Sequence, residues 1–590
     1  MKQPIPFVGQ SYSMPSLNID AQNCINWYVT HDQTGKYPTA LLPCPGLKVF
    51  RAGDTEKIVR GMYVLNNKLY AMIDDILYKI NQNGQSESLG TFPTSIGNVR
   101  FVANDWQLMM SDGVAAYIYQ IKDSDPDAKV SRTKGDFFQI TAASSNIGDV
   151  TFTGTGISDM TTGGTYSGDS DKSYIVIIQS AATPDTFKWS DDNGATYTQD
   201  VTVTGNAQTL SNGITITFTN TTGHTKDDRW DFDITVDDIF YVPLIPTTID
   251  SYGIFPRQNS NIWYISDDNP YDFSQINTLQ FARAAAFPDD LVATVAIREE
   301  LWLICEQTTE IWYDTGASPF PFERRENVLV NYGCEAPYSL AVADNNILFW
   351  LANNENGDRV IVMNTAYEPQ IVSTEPINRA IRGYSKVDDA IGFSYQWEGH
   401  IFYTIIFPTA DRTWEFDVTT KSWHERRSTL TNVDPATSDT RQGRWIANCY
   451  ANFAGKRLVG DFQSGNIYEL SSETYDENGT RLICERTGQH LQSNLNRLFC
   501  NSFQIDVQAA TGLVSGQGSD PQLMLTVSRD GGHHFGNERW RSAGKVGEYR
   551  HRAKWNRLGQ ARNFTFRLRI SDPVYRVVLG AVADMEATSV

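Results

Sequence analysis

The chain has 590 residues, 41% of them hydrophobic, and a formal net charge of −20. That is enough for several domains with buried cores, and the apolar share excludes a wholly disordered chain. No run approaches the about 18 apolar residues of a membrane-spanning helix, the opening MKQPIPFVGQSYSMPSLNID has no secretory h-region, and so acidic a surface repels nucleic acid over most of its area. Seven cysteines (Cys24, Cys44, Cys305, Cys334, Cys449, Cys484 and Cys500) show no C-x-x-C spacing. Reduced, mostly buried thiols in a chain made in a cytoplasm are expected, without a structural zinc.

In chain order the recurring pattern is strand, turn, strand. NNKLYAMIDDILYKINQNG turns at Asp74-Asp75, and FVANDWQLMMSDGVAAYIYQ turns at Ser111-Asp112-Gly113. Hairpins begin near Leu69, Leu108, Ile262, Leu301, Leu348, Ile401 and Leu458. Their runs are short, β-branched and aromatic, and bounded by Gly, Asn and Asp. A spacing of roughly 40 to 60 residues predicts propeller blades, about six or seven, because one small sheet cannot bury both faces alone. One short helix is expected between Thr374 and Tyr384, with Thr374 as N-cap and Pro376 in its first turn.

Residues 143–238 interrupt this spacing. From Thr141 to Phe240 there is no Glu and no Cys, and fourteen Asp face four Lys or Arg. SYIVIIQS, DTFKWS, GITITFTN and RWDFDITV alternate with period two, and Asn193-Gly194 and Asn212-Gly213 are hairpin turns. An inserted immunoglobulin-like β-sandwich is predicted. The division is 1–142, an N-terminal segment with the first blades; 143–238, the insert; 239–480, the remaining blades; and 481–590, a C-terminal β-domain. The fold class is mainly β.

The motifs speak for structure. Ser528-x-Asp530-x-Gly532-x-x-Phe535 and Ser190-x-Asp192-x-Gly194-x-x-Tyr197 both resemble the Asp-box hairpin. In it the Asp accepts backbone N–H bonds, the Gly takes positive φ, and the aromatic folds back. Adjacent His533 and His534 point to opposite faces of a strand and make a poor metal pair. Asp191, Asp192 and Asn193, or Asp227, Asp228, Asp231 and Asp233, lack the calcium-loop order and read as solvated turns. No catalytic, metal or cofactor-binding residue is assigned. From Arg529 to Arg569 eleven basic residues face three acids. Arg539, Arg541, Arg550, Arg552, Lys554, Trp555 and Arg557 there form a candidate docking face for an acidic partner or another copy of the chain. DNA phosphates and plain solvent are the competing occupants.

The C-terminal run SDPQLMLTVSRDGGHHFGNERWRSAGKVGEYRHRAKWNRLGQARNFTFRLRISDPV resembles the packaged-DNA stabilisation, or tail hub, proteins of short-tailed, P22-like phages. CINWY, LLPCPGL, ELWLICEQTTEIWYDTG, GCEAPYSLA, WHERR and LVGDFQSGNIYEL agree with it in order. The insert has no counterpart in that family pattern. The resemblance implies a non-enzymatic virion protein without cofactors, made in the bacterial host cytoplasm. It implies a tail hub (nozzle) of about six copies below the portal and its adaptor ring. Such a hub extends the channel for packaged double-stranded DNA, helps retain that DNA, and docks a tail needle, tailspikes or fibres. Two other readings stay open. One is a sialidase-like glycoside hydrolase, suggested by the Asp boxes and the blades, although its arginine cluster and Tyr nucleophile cannot be assembled from this sequence. The other is a host-glycan-binding module in the insert.

Overall fold

The computed structural model describes all residues except 1, 33–36, 54–55, 125–131, 141–144, 165, 167–170, 237–239, 267–271, 275, 319, 345, 354–356, 358, 432–439, 495 and 589–590. The expected insert limits, 142/143 and 238/239, lie outside the described residues. The chain divides into two compact units. One is Met1–Phe138 with Val242–Trp263 and Ala282–Val590, and the other is Gln139–Tyr241 with Tyr264–Phe281.

In the larger unit, among the described residues, seven antiparallel sheets follow one another. The first holds Val59–Leu65, Lys68–Ile73, Ile76–Ile80 and Ser86–Thr91. The second is built on Arg100–Ala103, Gln107–Ser111 and Ala116–Gln120, and the third opens with the hairpin Thr247–Ile249 and Tyr252–Pro256. The fourth runs from Leu291–Ile297 to Phe322–Val330, the fifth from Gly333–Cys334 to Gln370–Ile371, and the sixth from Ile391–Trp397 to Ser422–Glu425. The seventh joins Ala447–Phe453, Lys456–Asp461 and Ile467–Ser471 to Gly46–Arg51 from far upstream. Tight turns make this possible: Asn66, Asn67 and Asp74 sit at φ +48°, +56° and +55°, the left-handed region that Asn and Asp tolerate.

Apolar side chains between neighbouring sheets close the ring. Met72 and Leu77 of the first sheet pack with Phe101 and Leu108 of the second. Ser111 Oγ donates to the Pro243 carbonyl at the start of the third segment, and Thr294 Oγ1 of the fourth sheet donates to the Ile245 carbonyl. Trp302 and Trp350 belong to one core between the fourth and fifth sheets. Phe349 and Tyr403 stack between the fifth and sixth, and Phe393 and Trp445 meet between the sixth and seventh. Ile467 and Phe453 of the seventh share a core with Val59 and Leu69 of the first. The unit is therefore a seven-bladed propeller. The opening segments of the blades line a cavity of about 360 Å³, the fifth blade contributing Tyr338 from the short 3₁₀ turn Pro337–Ser339.

A β-sandwich grows directly from the sixth blade. Ile25 pairs in parallel with Glu425, so the blade continues through Ala21–Ile25, Cys484–Thr487, Asn563–Ile570, Gln522–Ser528 and Arg539–Ser542. The facing sheet holds Trp27–His31, Thr39–Pro43, Val578–Thr588, Arg497–Val507 and Ala553–Ala561, with Lys2–Ile5 on Val578–Thr588. The strands Lys2–Ile5, Ala21–Ile25, Trp27–His31 and Thr39–Pro43 thus complete the C-terminal sandwich instead of leading into the first blade. Sandwich and propeller share a sheet and cluster as one unit. Phe503, Trp555, Phe566 and Leu568 fill its core.

The smaller unit contains a two-sheet sandwich. Lys172–Ser180 lies between Arg229–Val236 and Thr186–Ser190, and a second sheet orders Met160–Gly164, Ile214–Phe218 and Gln208–Thr209. The period-two residues Tyr174, Val176 and Ile178, Ile214, Ile216 and Phe218, and Trp230, Phe232 and Ile234 form its core. The expected helix is Glu375–Arg382, preceded by Thr374 at the N-cap, whose side chain makes no cap hydrogen bond. All seven cysteines are free thiols, six buried and Cys449 half-buried. Among the described residues no helix is long and apolar enough to cross a membrane.

Candidate functional site

Both Asp-box motifs fold as the same self-bonded turn. Ser190 Oγ donates to Asp192 Oδ1 (2.6 Å) and accepts Gly194 N–H (2.9 Å), while Thr196 N–H donates to Asp192 Oδ1 (2.8 Å). Ser528 Oγ donates to Asp530 Oδ1 (2.7 Å) and accepts Gly532 N–H (2.8 Å), while His534 N–H donates to Asp530 Oδ1 (2.9 Å). Gly194 and Gly532 sit at φ +87° and +90°. Tyr197 packs beside Gly194, and Phe535 bridges back to Ser528 under the Arg567 guanidinium. Hydrogen bonds from Ser190 and Thr196 hold the Asp192 carboxyl well below its usual range. His534 contributes more than its sequence position suggests, since its Nδ1 lies 2.7 Å from Asp530 Oδ2. One Asp box lies in the smaller unit and the other in the sandwich; neither lies on a blade.

The acidic turns of the smaller unit hold their own backbone. Asp228 Oδ1 accepts the N–H groups of Thr155 and Gly156, and its Oδ2 accepts Thr225 N–H. Asp231 pairs with Arg229, and Asp233 accepts the Ser173 hydroxyl.

Among the described residues, Cys44, Glu415 and His424 are the one His, Cys or carboxylate group with donor atoms close enough to share an ion. Their chemistry is that of a hydrogen-bonded junction. His424 Nε2 lies 2.6 Å from Glu415 Oε2 and 3.5 Å from Cys44 Sγ. Glu415 Oε1 accepts Tyr395 Oη (2.8 Å) and Thr404 Oγ1 (2.7 Å). The fully buried Arg426 guanidinium lies 3.6 Å from Glu415 and covers the Trp445 ring. Burial pushes Glu415 up, but Arg426, His424 and Thr404 outweigh it and bring the carboxyl down to about 2. Burial raises the Cys44 thiol well above its ordinary value. A cation already occupies the position that a metal would compete for. Beside it, Asn26 Nδ2 donates to the carbonyls of Arg427 and Ile483, and Asn26 Oδ1 accepts Arg427 N–H. The segments CINWY and LLPCPGL, both near the start of the sequence, meet WHERR, far downstream, here.

The candidate docking face lies on two sandwich strands and the loop between them. Arg541, Arg550, Arg552 and Arg557 are exposed, and Arg539 and Lys554 half-buried. Arg541 donates to the Lys554 carbonyl, and Arg539 to that of Arg557. Among the described residues none of these six forms an ion pair with a carboxylate. Trp555 must be removed from the face: it is 1% exposed, and its Nε1 donates to the Arg539 carbonyl (2.7 Å). It is a core residue because Ala553 and Trp555 share the inward side of a strand. The exposed aromatics of the edge are Trp540 (54%) and Tyr549 (81%).

A ring of blades fused through a common sheet to a sandwich, with a buried ionic cluster beside that junction, defines a β-propeller scaffold. The family model described as Bacteriophage P22 Gp10, beta-propeller, matches residues 187–475, and that of the P22 Gp10 beta-sandwich matches 484–586. The chain belongs to the P22 Gp10 family, the tail hub and stabilisation proteins of P22-like phages. The propeller match starts inside the smaller unit, so the family pattern does not skip that unit completely. No curated protein matches. Among solved structures, the computationally designed Ika8 protein aligns at TM-score 0.31 and 10% identity, over 72% of this chain and 99% of its own. Hsv2 of Kluyveromyces lactis aligns at 0.24 and 9%, over 62% and 97%. A gluconolactonase of Xanthomonas campestris aligns at 0.24 and 9%, over 64% and 98%. Scores this low carry no argument about function.

Proposed function

We propose that the chain is a tail hub (nozzle) subunit of the virion, made in the host cytoplasm and assembled as a closed homo-oligomer, six copies being the expectation. It extends the DNA channel below the portal and adaptor ring, helps retain packaged DNA, and docks a needle, spikes or fibres. The observation that carries the reading is the sandwich edge. Six cations without carboxylate partners surround exposed Trp540 and Tyr549 in a chain of net charge −20. Such an edge attracts an acidic surface, and a neighbouring copy of this chain supplies one. The acidic remainder suits a wall past which DNA slides without being gripped. The smaller unit is read as an immunoglobulin-like module within the limits 143–238. No residue is assigned a catalytic role. Native mass spectrometry, alone and with the adaptor ring, is expected to show a closed ring. A chain that stays monomeric in both conditions would overturn the proposal.

A further inference from the structure

The propeller cavity has a polarity opposite to that of the chain. Among the described residues its wall carries two arginines, Arg60 and Arg100, and no Asp or Glu. Arg60 is neutralised: it pairs with Asp112 at 2.9 Å and donates to the carbonyls of Asp74, Thr94, Ile96 and Gly97. Other deep arginines are served, Arg486 by the carbonyls of Phe7 and Gln10 and by Gln22, Arg426 by Glu415, and Arg576 by the carbonyls of Leu482 and Tyr475, while Arg444, away from this cavity, lies over the Phe462 ring. On the cavity wall, Arg100 has no such partner. It is half-buried and has neither a hydrogen bond nor an ion pair among the described residues. Burial lowers its pKa, opposed only by Tyr338, whose hydroxyl is spent on the Asn98 carbonyl. A guanidinium stays charged at any physiological pH, and among the described residues no carboxylate balances this one.

We propose that the propeller cavity is a binding site for an oxyanion of the phosphate class, held by the fork of Arg100. Thr248, on the same wall and without a side-chain hydrogen bond among the described residues, supplies a hydroxyl donor. The planar guanidinium fits two oxygens of a tetrahedral anion with parallel hydrogen bonds, which chloride cannot accept in that way. A volume of about 360 Å³ leaves room for the anion with its water or for a small phosphomonoester.

The test uses the full chain and inorganic phosphate, with sodium chloride at equal ionic strength as control. A ligand that binds only the folded state raises its melting temperature. Phosphate at millimolar concentration is expected to raise it by about 2 °C or more beyond chloride. Arg100→Met is expected to abolish that shift while melting no lower than the parent without phosphate. Arg550→Met, on the sandwich edge, is expected to keep the shift. Thr248→Val is expected to weaken phosphate binding several-fold by calorimetry, which decides the matter should Arg100→Met fold poorly. No shift beyond chloride, a shift that survives Arg100→Met, or unchanged binding by Thr248→Val would overturn the proposal.

Discussion

Gly46 and Ser471 face each other in antiparallel register across the seam of the propeller. That pairing brings a strand from near the start of the chain into the last blade. A Cβ on Gly46 would run into the carbonyl oxygen of Thr474. Gly46→Ala is therefore expected to destabilise the ring by about 1–3 kcal/mol through overpacking at the seam. Chemical denaturation checks this, and a loss below about 0.5 kcal/mol counts against the seam as a tight contact.

Removal of Glu415 strands a cation. Glu415→Gln keeps the shape but leaves Arg426 buried without its charge partner. A loss of about 3–5 kcal/mol is expected, the usual cost of breaking a buried pair from one side. Added zinc is expected to leave the melting temperature of the parent unchanged, and a clear zinc-dependent rise would turn the junction into a metal site.

His224 gives the smaller unit a pH dependence. It is buried between Asp185 (Nδ1, 2.9 Å) and Asp159 (Nε2, 2.9 Å), with Phe218 and Trp230 against its ring. Burial pushes its pKa down, but the two carboxylates outweigh this and raise it above the ordinary 6.5. Burial pushes Asp159 up, but His224 and Asn220 outweigh it and hold the carboxyl below 3.8. The histidine's contribution is thus complete below pH 6.5 and lost as pH rises through its folded value. That of Asp159 is present above pH 3.8 and lost as pH falls through its own folded value. Thermal melts of the full chain followed by tryptophan fluorescence are expected to show this unit weakening from pH 6 to pH 9. The slope should vanish in His224→Gln, and an unaltered slope in that variant assigns it elsewhere.

The opening turn of the Asp box near the C-terminus separates two kinds of residue. Gly532 sits at φ +90°, and a Cβ there would meet Ala21 Cβ at 2.9 Å. Gly532→Val is expected to cost about 1–3 kcal/mol. The double change of His533 and His534 to Ala removes one exposed pair with Asp530 and is expected to cost less than about 1 kcal/mol, with ring assembly near normal. The reverse order of stabilities in denaturant titrations refutes this account of the turn.

On the sandwich edge, reversing Arg541, Arg550 and Arg552 to Glu is expected to weaken ring assembly at low salt while the fold stays within about 0.5 kcal/mol. Trp555→Ala is expected to cost the fold about 3–5 kcal/mol. Sedimentation velocity with parallel melts distinguishes the two effects. Assembly indifferent to the triple reversal removes this edge from the interface.

The blades were legible because their information is local. Leu69, Leu108, Leu301, Leu348, Ile401 and Leu458 each fall in a strand of a different sheet, and Ile262 begins Ile262–Ser266. Period-two runs and Asn, Asp or Gly turns mark such strands without reference to the rest of the chain. The Asp-box turns were legible for the same reason. The destination of Ala21–Ile25 was not, because pairing with Cys484–Thr487 leaves no trace within either segment. The family blocks CINWY and WHERR held residues of the junction, but nothing local says that Asn26 bonds to Arg427. Trp555 faces inward for a local reason: in AKWNRL it alternates with Lys554, and period two sets the two on opposite faces. Arg557 at φ +58° breaks the alternation and turns Leu558 inward, which nothing in the local pattern signals.

The pairing of Lys2–Ile5 with Val578–Thr588 also sets when folding can finish. At the usual rate of translation, about 5–20 residues per second, the N-terminal strands wait roughly half a minute or more for their partners. The smaller unit, by contrast, is complete within a local stretch. The fused sheet and sandwich cannot mature until almost the whole chain has left the ribosome. If the Arg-rich edge carried by that sandwich is the docking face proposed above, it forms only once the C-terminal strands are made, and chains cut short before them are left out of any assembly.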